Sequence, residues 1–196
     1  MNDSIWAGEF GDDYTARQAD MVSNNEAFFC RALHSVAELD SVIEYGAGAG
    51  MNLAALRNLS PAVRLTGIEV NRKAFERMKL YADEAILGSM LDPAIVAQAD
   101  IAFTKGVLIH IPPEHLETAY RKLYASATKY ILIAEYYNPV PVEVPYRGRA
   151  GMLWKRDFAG EMMDMLHLRL CDYGFFYHRG PFPQDDVHWF LMERTQ

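Results

Sequence analysis

Three glycines at alternating positions, Gly46, Gly48 and Gly50, separate the apolar run SVIEY from the segment MNLAALRNL. A strand that passes through such a turn into a helix presents backbone N–H groups and a positive dipole end to a ligand. An acid, Glu69, follows about 20 residues later in the run RLTGIEV, where its two oxygens suit the two hydroxyls of a ribose. The pattern predicts a nucleoside-containing ligand; the alternative is a tight turn with Glu69 as a helix cap.

The glycine spacing bears on which nucleoside-containing ligand binds. A dinucleotide fingerprint has two residues between its second and third glycines, whereas Ala49 alone separates Gly48 from Gly50. A second acid, Glu44, lies inside the end of the first strand. S-adenosylmethionine (SAM) has no pyrophosphate but carries an ammonium and a sulfonium, which a nearby carboxylate complements. Both details favour SAM over NAD, and an NAD-dependent oxidoreductase remains the rival.

The segment EYGAGAG, which starts at Glu44, resembles the first motif of the class I SAM-dependent methyltransferases, acid-x-Gly-x-Gly-x-Gly. The resemblance extends from Glu44 through the end of the chain, and that family has a seven-stranded sheet whose last strand is antiparallel. It implies SAM as the cofactor, with contacts from residues at strand ends: Glu44, Gly46, Ala47, Gly48, Gly50, Asn52, Glu69, Val70, Ser89, Met90, Lys105 and Gly106.

Longer stretches are similar to a narrower group, the pseudaminic acid biosynthesis-associated methyltransferases. They are WAGEFGDDYTAR, EYGAGAGMNLAAL, FTKGVLIHIPPEHL, AEYYNPVPVEVPYRGRAGMLWKRDFAGE and DDVHWFLMER. This resemblance implies methyl transfer to an oxygen or nitrogen of a nonulosonic acid, its nucleotide-activated form or a related amino sugar. The alternatives are a methyltransferase for another small metabolite and a non-catalytic nucleotide-binding module of the same fold.

Methyl transfer is an in-line displacement that needs aligned reactants and, for a hydroxyl or ammonium acceptor, a base. His110, in GVLIHIPP just past the fourth predicted strand, is the candidate base because an ordinary histidine pKa suits this role. Glu135 and Tyr137, at the end of the fifth predicted strand, are the other catalytic candidates. For each of the three, a purely structural role is the alternative.

The acceptor is expected to be a small molecule, an anionic sugar or nucleotide sugar. A guanidinium fork suits a carboxylate or phosphate, and two arginines lie in the Pro/Gly-containing segment after the fifth strand. An N-terminal lid with Trp6, Phe10, Tyr14 and Arg17 is a further expectation, with packing on the sheet as the alternative. The candidate substrate-binding residues are Tyr14, Asn138, Tyr146, Arg147 and Arg149.

Strands and helices alternate as far as residue 135, which predicts an α/β fold. We expect a Rossmann-like, mostly parallel seven-stranded sheet with helices on both faces and an antiparallel C-terminal hairpin formed by CDYGFFYHR and VHWFLMER. Helical structure is predicted for most of 13–39 and, as a short helix, for DPAIVAQ. Without a linker, the chain is expected to be one methyltransferase domain, 1–196, with 1–39 as a helical lid or cap and 40–196 as the catalytic core.

The charge and the apolar pattern of the chain restrict the classes of partner that it is expected to bind. The 196 residues carry a net charge of −7, which disfavours a dedicated nucleic-acid binder. No apolar run reaches the ~18 residues of a membrane span, and the acidic N-terminus lacks the order of a signal peptide. A cytoplasmic protein with no membrane and no nucleic-acid partner is therefore expected, and a homodimer is compatible with the sequence.

Metal and disulfide chemistry are not expected either. The histidines form no HxH or HExxH arrangement, so the sequence predicts no metal site. Cys30 and Cys171 have no CxxC spacing and lie among apolar residues, which predicts reduced thiols in the core.

Overall fold

A computed structural model describes residues 3–17 and 21–195. Seven strands form one sheet, two strands of two residues each pair in a second sheet, and helices connect most of the parallel strands. In chain order the elements are α1 (Asp3–Ala7), α2 (Glu9–Arg17), α3 (Val22–Ala32), β1 (Ser41–Tyr45), α4 (Met51–Leu59), β2 (Arg64–Glu69), α5 (Arg72–Met78), β3 (Glu84–Leu87), β4 (Ala99–Lys105), α6 (Leu116–Ser126), β5 (Ala127–Glu135), β6 (Val142–Glu143), β7 (Trp154–Lys155), α7 (Phe158–Met165), β8 (Leu168–Phe176) and β9 (Val187–Arg194).

The strand order is β3-β2-β1-β4-β5-β9-β8. β9 runs antiparallel to β5 and to β8, and the other neighbouring strands of this sheet are parallel. This confirms the predicted α/β fold with its mostly parallel sheet and antiparallel C-terminal hairpin. The order reverses between β1 and β4, and such a switch point opens a crevice at the carboxyl ends of the strands.

Both faces of the sheet are covered, which is why its central strands consist of nearly continuous apolar residues. Successive residues of a strand point to opposite faces. Thus Val42 and Leu132 pack on the side of α3 and α4, whereas Ile43 and Ile133 pack on the side of α6 and α7.

Side-chain caps begin two of the helices. The Asn71 side chain accepts the N–H of Ala74 at the start of α5, and the Asp157 side chain accepts the N–H of Gly160 at the start of α7. Asn and Asp are preferred at this position because their side-chain oxygens satisfy an N–H that the helix cannot.

Of two helical predictions, one is confirmed and one needs correction. Residues 13–39 contain the end of α2 and all of α3, in agreement with the mostly helical structure predicted there, and residues 18–20 lie outside the described residues. DPAIVAQ is not a helix: its Asp92 carboxylate accepts the N–H of Ala94, forming a local turn. A side-chain oxygen that binds a nearby backbone N–H in this way competes with helix formation.

The cysteine prediction is wrong about burial. Cys30 and Cys171 are both free, as expected, but both are exposed. Cys30 follows the buried pair Phe28 and Phe29 on α3, and the helical rotation turns it outward. Cys171 lies on the edge strand β8, where inward and outward residues alternate. Within the described ranges, no helix has the length and apolarity to cross a membrane.

Candidate active site

A cavity of about 560 Å³ lies at the carboxyl ends of β1, β2 and β4, at the switch point of the sheet. This volume is in the range of small-molecule and cofactor sites. Strand ends and the turns after them form its floor. Helices α1 and α2, called the roof below, contribute Trp6, Gly11 and Tyr14 to its lining, and the 138–151 segment contributes Tyr146 and Arg147.

The glycine turn lines the cavity, but its first N–H groups already have partners. The N–H groups of Gly46 and Ala47 both donate to the carbonyl oxygen of Ile68, and the N–H of Gly48 donates to Glu69. Because these donors are used within the protein, the expectation that they face a ligand is wrong for these three residues. A pyrophosphate would need such donors, so this arrangement suits a ligand without one.

Gly46 also allows a close approach between two loops. It has a φ of 73°, and a Cβ atom there would lie 2.5 Å from a methyl carbon of Val107 in the loop after β4. A side chain at position 46 would therefore push the two loops of the cavity floor apart.

Glu69 lies at the cavity wall with its carboxylate held by backbone groups. Oε1 accepts the N–H of Asn71 at 2.7 Å, and Oε2 accepts the N–H of Gly48 at 2.7 Å. Burial raises the pKa of Glu69, and these N–H groups oppose that rise. Each oxygen has a second lone pair, so the carboxylate can still accept two hydroxyl groups from the cavity.

A buried acid and a partly buried lysine lie at one end of the cavity. Oε1 of Glu44 accepts the side-chain amide of Asn52 at 2.6 Å, and Oε2 has no hydrogen-bond partner among the described residues. Burial raises the pKa of Glu44 to about 8 and lowers the pKa of Lys105 to about 8, while each charge favours the other. Lys105 and Asn52 line the cavity, whereas Glu44 lies beneath them.

Three residues at this end escaped the sequence analysis: Asn25, Gln184 and Asp185 line the cavity. Oδ1 of Asn25 accepts Lys105 Nζ at 2.9 Å and Gln184 Nε2 at 3.2 Å. Asn25 carries no local signal because it lies within the apolar pattern of α3. Gln184 and Asp185 lie in the loop between β8 and β9, and loops often carry function.

The other end of the cavity holds the residues expected near adenine. Val70, Ser89 and Met90 line it together with Gly88. Gly106 lines the floor beside Lys105, whereas Gly50 does not reach the cavity. Gly50 instead starts α4 with a φ of 83°. Its tight turn packs against α5, where a Cβ atom would lie 3.0 Å from the backbone of Met78.

His110 lines the cavity below the roof. Its Nδ1 lies 2.6 Å from the carbonyl oxygen of Met152. Because a carbonyl oxygen only accepts, Nδ1 carries the proton and Nε2 carries the lone pair of the neutral ring. Burial lowers the pKa of His110 to about 4. The expected ordinary pKa is therefore wrong, and the ring is neutral at physiological pH.

Aromatic rings surround His110. The ring centroid of Trp6 lies 4.7 Å from that of His110, and that of Tyr146 lies 5.0 Å from it on the segment after β5. Tyr14 packs on Trp6 at 5.5 Å. Arg147 lines the same part of the cavity, with its guanidinium 5.5 Å from the Tyr146 ring. This part of the cavity therefore combines a neutral imidazole, a cation and an aromatic wall formed by Trp6, Tyr14 and Tyr146.

Glu135 does not line the cavity. Its carboxylate accepts the N–H groups of Val107, Leu108 and Ile109 and the hydroxyl of Thr104, at 3.0 to 3.3 Å. Burial raises its pKa to about 7. The structure therefore contradicts direct contact with an acceptor, since these loop N–H groups take up the carboxylate.

Three further candidates also lie outside the cavity lining. The Tyr137 ring packs at 5.5 Å on His188, away from the cavity, and the neighbouring Tyr136 lines the cavity instead. The Asn138 amide donates to the carbonyl of Val140. The Arg149 guanidinium lies 5.4 Å from the ring of Phe10. β5 ends at Glu135, so the strand's alternation between the two faces of the sheet does not predict where the side chains after it point.

No protein-family model matches the chain, and no curated protein sequence is detectably similar to it. Within the described residues, no three potential metal ligands converge. Solved structures do share the architecture, at identities that establish the fold alone.

The mitomycin 7-O-methyltransferase MmcR has a TM-score of 0.72 and 15% identity, covering 100% of this chain and 61% of that protein. This chain thus spans less than two thirds of the mitomycin enzyme's length. Magnesium protoporphyrin IX methyltransferase (ChlM) from Synechocystis PCC 6803, solved with SAM, has a TM-score of 0.70 and 12% identity, covering 100% of this chain and 98% of that one.

A third structure is Burkholderia thailandensis 1,6-didemethyltoxoflavin-N1-methyltransferase with 1,6-didemethyltoxoflavin and S-adenosylhomocysteine (SAH) bound. Its TM-score is 0.69 at 14% identity, covering 100% of this chain and 87% of that one. The strand order and these likenesses together show that the chain has the Rossmann-like fold of the class I SAM-dependent methyltransferases.

Proposed function

We propose that the protein transfers a methyl group from SAM to an oxygen or nitrogen of a small acceptor. The observation that carries this proposal is the Glu69 carboxylate, which two backbone N–H groups hold at the wall of the cavity. Its remaining lone pairs suit the ribose hydroxyls. The internally bonded glycine turn favours a ligand without a pyrophosphate, and proteins of the same fold have been solved with SAM or SAH bound.

The two ends of the cavity give the cofactor an orientation. Val70, Ser89 and Met90 suit the adenine, because they present small and apolar surfaces beside the Glu69 end. Lys105 suits the carboxylate of the methionyl part at the opposite end, since its ammonium lies in the lining and is desolvated. Asn52, which lines the cavity and whose amide donates to Glu44 beneath it, suits the methionyl ammonium, because its Oδ1 accepts no hydrogen bond from the described residues.

SAM, when bound, supplies a sulfonium methyl group that an acceptor oxygen or nitrogen takes by in-line displacement. The residues of this chain then have two tasks. The aromatic wall of Trp6, Tyr14 and Tyr146 excludes water and aligns the acceptor. His110 receives the acceptor proton on Nε2, because its Nδ1–H is fixed on the Met152 carbonyl; its lowered pKa makes it a weaker base than an ordinary histidine, so its position rather than its basicity supports this role.

For the acceptor we propose an anionic sugar, a nonulosonic acid or a related nucleotide sugar. The support is Arg147 in the cavity lining next to aromatic rings on which a sugar ring can pack, together with the resemblance to the pseudaminic acid-associated group. The solved proteins of this fold named above carry names of quite different small molecules, so the fold leaves the acceptor open.

Calorimetry with SAH and with NADH tests the cofactor. We expect SAH to bind and NADH not to bind; tight NADH binding without SAH binding would refute the proposal. Mass spectrometry of candidate sugars and nucleotide sugars, incubated with SAM carrying a labelled methyl group, tests the acceptor. SAH binding with no labelled product on any acceptor tried would favour a non-catalytic binding module.

A further inference from the structure

Asn71, two residues after Glu69, is fixed on one side by the cofactor wall. Its backbone N–H donates to Oε1 of Glu69 at 2.7 Å. Its side-chain Oδ1 accepts the N–H of Ala74 at 2.9 Å and thereby caps α5. Asn71 is buried, and these two bonds hold its backbone and its side-chain oxygen. The NH₂ group of the side chain therefore points in a defined direction.

That NH₂ group binds the roof. Nδ2 of Asn71 donates to the carbonyl oxygen of Trp6 at 3.1 Å and to Oδ1 of Asp12 at 2.9 Å. The Trp6 carbonyl lies in the last turn of α1, where a helix leaves carbonyls without an internal partner. Asp12 also pairs with Lys73 at 2.6 Å, and hydrogen bonds from Lys73 and Asn71 lower its pKa, so it stays ionised.

The close packing of α1, α2 and the Asn71 side chain depends on Gly11. A Cβ atom at position 11 would lie 1.7 Å from the carbonyl oxygen of Trp6 and 2.9 Å from Nδ2 of Asn71. Without a side chain there, α1 and α2 cross closely enough for one amide to reach both helices. The roof is therefore shaped to receive Asn71.

The same two helices carry two of the three rings of the aromatic wall, Trp6 and Tyr14. Trp6, whose carbonyl accepts from Asn71, places its ring 4.7 Å from His110. Tyr14, one turn along from Gly11, packs on Trp6 and lines the cavity. A change at Asn71 thus acts on both the ribose-binding carboxylate and the aromatic wall.

We propose that Asn71 is a positioning residue that ties the roof to the Glu69 carboxylate, so that cofactor binding and closure of the roof over the acceptor stabilise each other. The cofactor part of this inference rests on the proposed function. Coupling between two equilibria is reciprocal. If the cofactor favours the closed roof by some factor, a variant that opens the roof weakens cofactor binding by up to the same factor.

Hydrogen exchange of residues 3–17 in the ligand-free protein tests the contact itself. Asp12→Ala removes the charged roof partner of Asn71 and leaves the Trp6 carbonyl, whereas Asn71→Ser keeps a good helix cap and removes the NH₂ group that serves both. We expect exchange in the roof to be about tenfold faster in both variants, since a charge-assisted hydrogen bond is lost. Unchanged exchange in both variants would overturn the inference, and the Asn71 variant's unfolding midpoint shows whether the cap is retained.

Two control variants distinguish the loss of this contact from a general change in surface charge. Asp13→Ala removes an exposed acid from the same helix, and Lys73→Ala removes only the exposed partner of Asp12. Exposed ion pairs contribute little, so both should exchange within about twofold of the wild type. Exchange as fast as in Asp12→Ala would assign the effect to surface charge and overturn the role of Asn71.

SAH tests the coupling. In the wild type, saturating SAH should slow roof exchange, and its dissociation, measured by stopped-flow fluorescence, should be about tenfold faster in Asp12→Ala and Asn71→Ser. Equal dissociation rates in all variants would overturn the coupling. A wild-type protein that does not bind SAH refutes the proposed function, whereas ligand-free exchange still decides whether Asn71 holds the roof.

Discussion

The two halves of the cavity are built by different means. In the half proposed for the cofactor, strand ends and backbone hydrogen bonds set the position of the acid: the N–H groups of Gly48 and Asn71 fix Glu69. In the half proposed for the acceptor, side chains from distant segments meet on His110, with Trp6 from the roof and Tyr146 from the segment after β5. The first half follows from the register of the sheet, whereas the second depends on tertiary packing.

This difference predicts that substitutions in the two halves have separable effects. His110→Ala should cause the largest change, a fall in kcat of about 10²- to 10⁴-fold, typical of losing a general base. The affinity for SAH should stay within about twofold, because His110 belongs to the acceptor half. Steady-state kinetics with a turned-over acceptor and calorimetry with SAH measure both quantities. A wild-type kcat would rule out the base.

The pH profile sharpens this prediction. A neutral His110 acts as the base, and its pKa is lowered to about 4, so protonation removes activity only as the pH falls through about 4. Activity assigned to His110 should therefore show no loss near pH 6.5. An acidic limb near pH 6.5 that disappears in His110→Gln would contradict the neutral, buried ring.

Glu69→Ala should have the largest effect in the cofactor half. The loss of charge-assisted hydrogen bonds worth about 1.5–3 kcal/mol lowers the SAH affinity by about 10- to 100-fold. Glu84→Ala is the matched control, because Glu84 is an exposed acid at the other end of a neighbouring strand. Calorimetry should show no change for the control, and an unchanged affinity of Glu69→Ala would exclude Glu69 from the site.

Lys105→Met should affect only ligands with a methionyl carboxylate. We expect SAH to bind about tenfold more weakly, as for a lost charged hydrogen bond. 5′-Methylthioadenosine, which has no methionyl carboxylate or ammonium, should bind equally to variant and wild type. Lys79→Met, at an exposed lysine, is the control. Equal weakening for both ligands would assign Lys105 a structural role.

The smallest effect distinguishes two neighbours. Tyr136 lines the cavity and Tyr137 packs on His188, so Tyr136→Phe should lower kcat/KM about fivefold for an acceptor bound through the hydroxyl. Tyr137→Phe should leave kcat/KM within about twofold. Both variants keep the ring and its packing. A larger effect for Tyr137→Phe would reverse the assignment of the two faces.

Local patterns were sufficient for the fold and for most of the cofactor half. The run SVIEY, the glycines after it and Glu69 lie on consecutive elements, and parallel strands bring their carboxyl ends to one edge. The Asn71 cap was predictable for the same reason, since a cap is a contact over three residues. In these cases the interactions join residues of the same element or of consecutive elements in the sequence.

The remaining site residues could not be predicted because their neighbours are distant in the chain. Asn25 reaches Lys105 only after α3 packs on the sheet, and Gln184 joins them from the loop before β9. Glu135 looked available for an acceptor because no pattern shows that three N–H groups of one loop converge on it. His110 has a lowered pKa through burial, which sequence composition does not reveal.

The Glu135 carboxylate has a consequence for how this scaffold can change. It gathers the N–H groups of Val107, Leu108 and Ile109, so the path of the loop before His110 is set by main-chain donors and one buried acid. Loop side chains can be exchanged while these donors remain. New acceptor preferences are therefore best sought by varying side chains of the roof and of 146–149, with the imidazole kept as a fixed reference point. Selection for a new acceptor that keeps methyl transfer should leave position 135 unchanged.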